Sequence, residues 1–312
     1  MMKGSLLQRL KRAVLPMLLV MGFLFITPNA LANPKTVLII KSNDNSFFNT
    51  TINQILLKTK EQINYKITTL DSIYQDNTLI SQSQAIITLG ITAANYPFKD
   101  NLNIPVIHSY ITELQDIKHL KQKNHHSVLL DQPLQRYLEF IKYLLDPKSI
   151  GIISNTKDIT KKNISEILIS LDLKLEQRIF KTGDNPLNLV RDLLQSNDVL
   201  LSLPNPEVYN RQSLKGILLS SYRQNKPVIS YSPAHVKSGA LASIFSSPKN
   251  IGNQIAGLLN RILTDKFFKP EKYYYASEFD ININHRVAKS LGLTLARKEK
   301  IIDLLKKPDQ FR

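Results

Sequence analysis

The chain has 312 residues, 43% of them hydrophobic, and its 41 Lys and Arg against 25 Asp and Glu give a formal charge of +16. It contains no Cys, which excludes disulfides, Cys-ligated zinc, iron–sulfur clusters, a thiol nucleophile and a lipidated cysteine. The apolar content excludes a wholly disordered chain, and the length predicts roughly two domains. The basic charge admits nucleic acid, an anionic membrane surface or acidic ligands without choosing among them.

The first 32 residues have the pattern of a cleavable export signal. Four basic residues and no acid lie within residues 1–12, an apolar run of 14 residues follows at 13–26, and Ala30-Leu31-Ala32 supplies a small-x-small cleavage site. The run is shorter than the ~20 residues that span a bilayer, so cleavage is favoured over an uncleaved anchor. Cleavage after Ala32 would remove 32 of the 312 residues and four of the 16 excess positive charges.

Export without a Cys predicts where the mature protein works. A lipoprotein needs a Cys at its cleavage site, and this chain has none, so we expect no lipid anchor. An unanchored exported protein is retained between two membranes, which predicts the periplasm. Export also argues against nucleic acid as a partner, and the Lys and Arg residues are spread along the chain rather than clustered with aromatic residues. The remaining charge fits periplasmic or membrane-surface surroundings.

The mature chain alternates β-rich apolar runs with apolar residues at helical spacing. Asp131 and Pro133 mark the start of one helix, and another is predicted over roughly residues 209–223. Two such βαβα series predict two α/β lobes, each a mostly parallel sheet covered by helices on both faces. The predicted strands are residues 36–40, 65–70, 84–89 and 104–107 in the first series, and 150–153, 173–180, 199–203, 227–231 and 240–245 in the second.

The strand-to-helix loops are the candidate ligand sites, because ligands of such sheets bind outside the carboxyl ends of the strands. Gly90 lets the main chain approach a ligand, and the helix predicted after it offers free N–H donors to a carboxylate or phosphate, with a simple helix cap as the alternative. No catalytic triad or carboxylate pair accompanies these loops, so they suit holding a ligand rather than transforming it. The predicted ligand-binding residues are Ser42, Asn43, Asp44, Gly90, Ile91, Thr92, Asn155, Thr156, Asn205, Tyr231 and Ser232.

Enzyme and metal motifs are absent or unconvincing. The sequence lacks GxxxxGK[ST], GxGxxG, HExxH and GxSxG, and the SxxK and KTG matches at residues 154–157 and 181–183 have no SxN element between them. His125-His126 has basic neighbours and no nearby acid, so we interpret it as a solvated loop. Tyr273–Tyr275 is interpreted as a strand with one buried face. The sequence therefore predicts no catalytic residue, no metal site and no cofactor.

A resemblance to a known family is most specific over residues 198–252 and loose before residue 128. The specific part contains DVLLSLPNPEVYN, YSPAHVKSGALA and SSPKNIG, and DQPLQR at 131–136 with NHRVA at 284–288 also fits. The sequence resembles the substrate-binding components of ABC transporters, in the family that includes tryptophan- and tyrosine-binding members.

This resemblance implies the type I periplasmic binding protein fold, in which two Rossmann-like lobes with parallel sheets are joined by a hinge. It implies a first lobe of residues 33–130 and 232–272 and a second of residues 131–231 and 273–312, after a signal peptide of residues 1–32. A monomer would hold a small molecule between the lobes and close around it. A membrane permease of an ABC transporter would recognise the closed form.

One position departs from the pattern of the family. Many relatives have Asp in the loop after Leu203-Pro204, where this chain has Asn205, and an amide holds a ligand ammonium less well than a carboxylate. With no Trp in the chain, an aromatic ligand would stack on Phe47, Phe48 or Tyr231. The ligand is therefore predicted as a small polar molecule, either an amino acid or another polar or anionic compound.

Two alternatives of other classes stay open at this stage. The chain could be a ligand-binding sensor subunit that docks on a membrane receptor instead of a permease. It could also be a periplasmic enzyme on the same fold, in which case Asp44 and His108 are the candidate catalytic groups at plausible strand ends.

Overall fold

The structure is a computed structural model that describes residues 34–59, 62–98, 102–113, 122–155 and 162–306. It contains two sheets of six strands each. This architecture confirms the predicted α/β fold with two mostly parallel sheets. Across the described residues, no helix has both the length and the apolar character needed to cross a bilayer.

The strands of the first sheet are β1 (Lys35–Lys41), β2 (Ile63–Thr69), β3 (Ala85–Leu89), β4 (Val106–Ser109), β5 (His125–Leu129) and β11 (Tyr273–Tyr275). They are parallel throughout, in the order β11-β5-β4-β3-β1-β2. The accompanying helices are α1 (Ser46–Lys58), α2 (Leu70–Gln75), α3 (Thr78–Ser81), α4 (Ile91–Ala94) and α10 (Pro248–Thr264).

The second sheet has the order β12-β10-β9-β8-β6-β7, and only β12 runs antiparallel to its neighbour. Its strands are β6 (Ser149–Ser154), β7 (Lys174–Ile179), β8 (Val199–Ser202), β9 (Val228–Ser230), β10 (Ala242–Phe245) and β12 (Asp280–Ile283). The accompanying helices are α5 (Leu134–Leu145), α6 (Lys162–Ser170), α7 (Pro186–Ser196), α8 (Leu214–Arg223), α9 (Pro233–Ser238), α11 (His285–Ser290) and α12 (Lys298–Leu305).

Central strands are buried on both faces, which is why they read as continuous apolar runs. Val37, Leu38, Ile39 and Ile40 of β1 are all fully buried, and alternate residues belong to the clusters on opposite faces of the sheet. Helices on both faces of a parallel sheet remove both sets of side chains from water. Burial of each large aliphatic side chain stabilises the fold by roughly 1.5–3 kcal/mol.

The predicted division of the chain between lobes needs two corrections. Strand β10 was expected in the first lobe, but it pairs with β9 and β12 in the second sheet. Strand β11 was expected in the second lobe, but it pairs with β5 in the first sheet. The chain therefore returns to the first sheet only after Phe245, and leaves it again after Tyr275. The sheet that a strand joins is decided by tertiary pairing, such as that of β10 with β12 and of β11 with β5, which no local pattern reports.

The interpretation of His125-His126 as a solvated loop is wrong. Both residues lie in β5, and their exposed fractions are 0% and 4%. His125 Nδ1 is hydrogen-bonded to His108 Nε2 at 2.9 Å, and His126 Nδ1 to the main-chain oxygen of Glu271 at 2.7 Å. The imidazoles can occupy the interior because a neighbouring element supplies a hydrogen-bond partner for the Nδ1 atom of each ring.

Helix α8 also begins later than predicted, at Leu214 rather than near residue 209. The intervening residues form turns, because side chains compete with the helix for main-chain partners. The Oδ1 atom of Asn210 accepts hydrogen bonds from the main-chain N–H groups of Gln212 and Ser213, at 3.0 and 3.1 Å.

Two glycines of α10 allow a matched stability test. A Cβ atom on Gly252 would lie 2.7 Å from Gln54 Cβ and 2.9 Å from the Thr51 carbonyl oxygen, whereas one on Gly257 would meet nothing within 4 Å. We expect Gly252→Ala to lower the free energy of unfolding by about 1–3 kcal/mol through overpacking of α10 against α1. Gly257→Ala should raise it by up to about 1 kcal/mol, because Ala favours a helix. Urea unfolding measures both, and equal effects would contradict the close packing.

Candidate ligand-binding site

Three crossover segments join the two sheets, and hydrogen bonds tie these segments to one another. Gln132 Nε2, in the segment after β5, donates to Ser246 Oγ at 2.8 Å, and Ser246 Oγ donates to the Glu278 carbonyl oxygen at 2.8 Å. Arg136 Nη1 donates to both Gln132 Oε1 and the Ala276 carbonyl oxygen, at 2.5 and 3.1 Å. All three crossings therefore meet in one buried network, which we name the hinge network.

In the first lobe, the loops after β1 and β3 pack directly on each other. Ser42 Oγ accepts a hydrogen bond from the Ala93 N–H at 2.9 Å, so Ser42 caps one of the main-chain donors predicted to be free for a ligand. Gly90 has a φ of +97°, and a Cβ atom there would lie 2.5 Å from Ser42 Oγ. Ile91 is half-buried against a small apolar cluster, and Thr92 is exposed.

Asn43 and Asp44 form a local polar network on the surface. Asp44 Oδ1 accepts from Lys41 Nζ at 2.8 Å and from Asn49 Nδ2 at 3.1 Å, and these hydrogen bonds lower the pKa of the carboxyl. Asn43 Oδ1 accepts from Asn45 Nδ2 at 2.7 Å. A ligand of these side chains would therefore compete with existing protein partners.

In the second lobe, the structure brings Asn155 and Asn205 into contact. Asn205 Nδ2 donates to Asn155 Oδ1 at 2.6 Å, and Asn205 Oδ1 accepts from the Glu207 N–H at 3.1 Å. Asn155 Nδ2 in turn donates to Glu207 Oε2 at 2.7 Å. Asn205 is 2% exposed, so its amide shapes the loop from within. Thr156 lies outside the described residues.

Tyr231 and Ser232 lie at the carboxyl end of β9. Ser232 Oγ caps α9 by accepting from the Ala234 N–H at 3.3 Å, and the ring of Tyr231 meets the His235 ring edge-on, with centroids 4.9 Å apart. His235 Nδ1 is hydrogen-bonded to Ser230 Oγ at 2.7 Å. Burial lowers the pKa of His235 to about 4, so this imidazole is neutral near pH 7.

A buried carboxylate at the first crossover is the feature that the predicted residue set missed. Asp131 is 7% exposed, and its Oδ2 accepts from the Glu113 N–H at 2.5 Å. Burial raises the pKa of Asp131 to about 7; the hydrogen bond from Glu113 lowers the pKa, and the nearby Glu113 carboxylate raises it. The only sequence signal is an acid immediately after the carboxyl end of a strand, and the same acid also predicts a helix start.

Tyrosines from both lobes lie within electrostatic range of this carboxylate. Burial raises the pKa of Tyr231, in the second lobe, and the charge of Asp131 raises it further. The pKa of Tyr275, in the first lobe, is raised by burial, by its hydrogen bond to Glu113 Oε2 at 2.7 Å and by Asp131. The pKa of Tyr137 is raised by burial and by Asp131 in the same way. Asp131 therefore lies where residues of the two lobes approach each other.

Comparison with known proteins identifies the family. The sequence matches the family described as ABC transporter substrate binding protein over residues 57–310. The chain belongs to this family. The predicted resemblance is thereby confirmed, and the chain is a substrate-binding protein of the ABC transporter type. No curated protein sequence matches it.

Solved structures share the fold of this substrate-binding protein at low identity. A ligand-free, open substrate binding protein with adhesive properties from Clostridium difficile has a TM-score of 0.61 and 17% identity, covering 85% of this chain and 97% of its own. An ABC domain in complex with L-Trp from Streptococcus pneumonia has a TM-score of 0.55 and 16% identity, covering 86% of this chain and 98% of its own. A periplasmic ribose ABC transporter from Conexibacter woesei has a TM-score of 0.52 and 13% identity, covering 86% of this chain and 97% of its own.

The enzyme alternative receives no support from the geometry of the substrate-binding protein. His108 is fully buried, and its ring nitrogens are hydrogen-bonded to Thr88 Oγ1 and His125 Nδ1 at 2.8 and 2.9 Å. Asp44 instead has a side chain 69% exposed and paired with Lys41. Within the described ranges, no group of three or more His, Asp or Glu side chains is placed to hold a metal ion.

Proposed function

We propose that this protein is the periplasmic solute-binding component of an ABC transporter, which closes its two lobes around a small polar molecule. The observation that carries the proposal is the hinge network, which joins all three crossings next to the buried Asp131. Atoms close to a pivot move little when lobes rotate, so these hydrogen bonds can persist in open and closed forms. The closed form would be presented to a membrane permease.

The chemistry of the cleft supports a ligand with a positively charged amine, such as an amino acid. Asp131 forms no ion pair with a Lys or Arg among the described residues, and the groups around it are an acid and three tyrosines. An ammonium would neutralise the buried carboxylate, and tyrosine faces attract cations. Asn205 is already bonded to Asn155 and Glu207, so Asp131 replaces it as our candidate for the ammonium contact.

A thermal-shift screen against amino acids, simple amines, sugars and small carboxylates tests the ligand class. A ligand at roughly 100 times its Kd stabilises the native state by about 2.7 kcal/mol, which raises Tm measurably. We expect shifts from compounds with an amine. Shifts confined to sugars or carboxylates would contradict the proposed ammonium contact.

Small-angle X-ray scattering on the same protein tests closure. We expect the radius of gyration to fall when a compound that raises Tm is added, because that compound stabilises the closed form preferentially. An unchanged radius at saturation would contradict hinge closure even if binding is tight.

A further inference from the structure

The end of the first lobe opposite the cleft carries a basic surface. Strands β1, β5 and β11 are parallel and all begin at this end, whereas the first-lobe loops with predicted ligand-binding residues follow the carboxyl ends of β1 and β3 at the other end. The surface, which we name the amino pole, consists of residues 35, 58, 122–124 and 261–272. Seven basic and two acidic side chains belong to it: Lys35, Lys58, Lys123, Arg261, Lys266, Lys269 and Lys272, with Asp265 and Glu271.

Hydrogen bonds hold the segments of the amino pole together. Lys35 Nζ donates to the Leu263 carbonyl oxygen at 2.5 Å, which joins the start of β1 to the end of α10. Asn260 Nδ2 donates to the Lys58 carbonyl oxygen at 3.2 Å, which joins α10 to the end of α1. Lys272 Nζ donates to the carbonyl oxygen of Gln122, beside Lys123. The positive charges therefore belong to one continuous surface.

The loop that follows α10 presents an exposed phenylalanine on this surface. Phe267 is 93% exposed, yet its N–H donates to Asp265 Oδ1 at 3.0 Å, and the N–H of Phe268 donates to the Asp265 carbonyl oxygen at 3.1 Å. The Phe268 ring packs on the core of the lobe, with the guanidinium of Arg261 3.8 Å above its centroid. Phe267 is thus displayed by an anchored loop, between Lys266 and Lys269.

We infer that the amino pole docks on a lipid bilayer that contains anionic lipid, with Phe267 entering the interface. The charge of the pole complements such a surface, where each nearby Lys or Arg strengthens binding about fivefold. Leu57, 76% exposed beside Lys58, adds a second apolar contact. Single apolar side chains surrounded by lysines suit a headgroup region, whereas a protein partner would call for a contiguous apolar patch.

This orientation leaves the cleft accessible. Because the pole lies at the amino ends of the first sheet, the carboxyl-end loops and the second lobe face away from the bilayer. Binding and release of a ligand would then proceed on a protein confined near the membrane. The inference concerns a different surface from the ligand site, so its test does not depend on the proposed ligand.

Co-sedimentation with vesicles tests the inference. The protein is purified from its own host, so that it has the N-terminus that the host gives it. We expect binding to phosphatidylcholine vesicles containing about 30% phosphatidylglycerol, little binding to phosphatidylcholine alone, and release at about 0.5 M salt. The pair Lys266→Gln with Lys269→Gln should weaken binding about 25-fold, because each lysine contributes about fivefold. Phe267→Ser should weaken it about tenfold or more, because it removes the apolar side chain that enters the interface. All these proteins share one N-terminus, so its contribution cancels.

Matched controls come from the second lobe. Ile169→Ser removes another exposed apolar side chain, and Lys237→Gln with Lys289→Gln removes two exposed charges, so neither change should affect vesicle binding. An unchanged Tm would show that each variant folds. The inference is overturned by absent binding to anionic vesicles, by equal losses in the controls, or by binding to polyglutamate without binding to vesicles. Loss of a dimer in Phe267→Ser would also overturn it, by identifying a contact between copies instead.

Discussion

Replacing Arg136 with Met should lower the free energy of unfolding by about 2–6 kcal/mol, because two buried acceptors would each lose a donor at about 1–3 kcal/mol. Arg136 is 3% exposed, and its guanidinium lies 4.9 Å from the centroid of the Phe279 ring. Burial lowers the pKa of Arg136 to about 10, so the side chain is still charged at neutral pH. Met would fill much of the volume but leave Gln132 Oε1 and the Ala276 carbonyl oxygen without this donor.

Urea unfolding at neutral pH measures this loss, and two further variants separate its causes. Arg136→Lys keeps a charge but lacks the forked donors, so we expect a smaller loss. Arg286→Met changes an exposed arginine of the same lobe and should alter stability by less than about 0.5 kcal/mol. If Arg136→Met were no more harmful than Arg286→Met, the hinge network would contribute nothing to the joining of the lobes.

Buried strands were predictable from the sequence, whereas their partners were not. The runs in β1, β3 and β8 are almost wholly apolar because both faces of each strand are covered. Strand β5 escaped prediction because its two leading histidines look polar, and only contacts with His108 and Glu271 make them compatible with the interior. The sheet to which β10 and β11 belong depends on neighbours that the local pattern does not contain.

The candidate site shows the same limit at the level of single side chains. Sequence reasoning selected Asn205 as the replacement for an expected carboxylate, but it could not show that the Asn205 amide is already bonded to Asn155 and Glu207. Asp131 gave no sign of burial, since Glu113, which bonds to it, and Tyr231, which is affected by its charge, come from distant segments. Residue type was therefore predictable, whereas the availability of each polar atom depends on tertiary contacts.

Replacing Asp131 with Asn should remove a pH-dependent loss of folding stability from the ligand-free protein. The carboxyl has a pKa of about 7 in the native state, raised chiefly by burial, against 3.8 as the ordinary value. Below pH ~4 both the native and unfolded states hold the proton, so the group does not affect stability. Between pH ~4 and ~7 only the native state holds it, and stability therefore falls as pH rises.

Above pH ~7 the native protein carries the full cost of a buried charge, on the order of 2–4 kcal/mol. A neutral amide at this position would avoid the cost and could still accept the Glu113 N–H, so Asp131→Asn should be more stable than the wild type at pH ~8, with a much smaller difference at pH ~4. Urea unfolding at the two pH values measures the difference. A difference that is the same at both pH values would show that Asp131 does not titrate between them. The nearby tyrosines Tyr137, Tyr231 and Tyr275 have pKa values raised above 10 and stay neutral throughout this range.

The same substitution should weaken binding of an amine ligand by about tenfold or more, roughly the 1.4 kcal/mol or more lost with a charged partner. In the wild type, an ammonium would favour the ionised carboxylate, so binding should strengthen as pH rises from about 5 to about 8 and should release a proton. Isothermal titration calorimetry in buffers of different ionisation enthalpy detects that proton. If the variant kept both its affinity and the proton release, Asp131 would not be the ammonium contact. A more stable variant that binds less well would show that the burial of Asp131 serves ligand binding rather than folding.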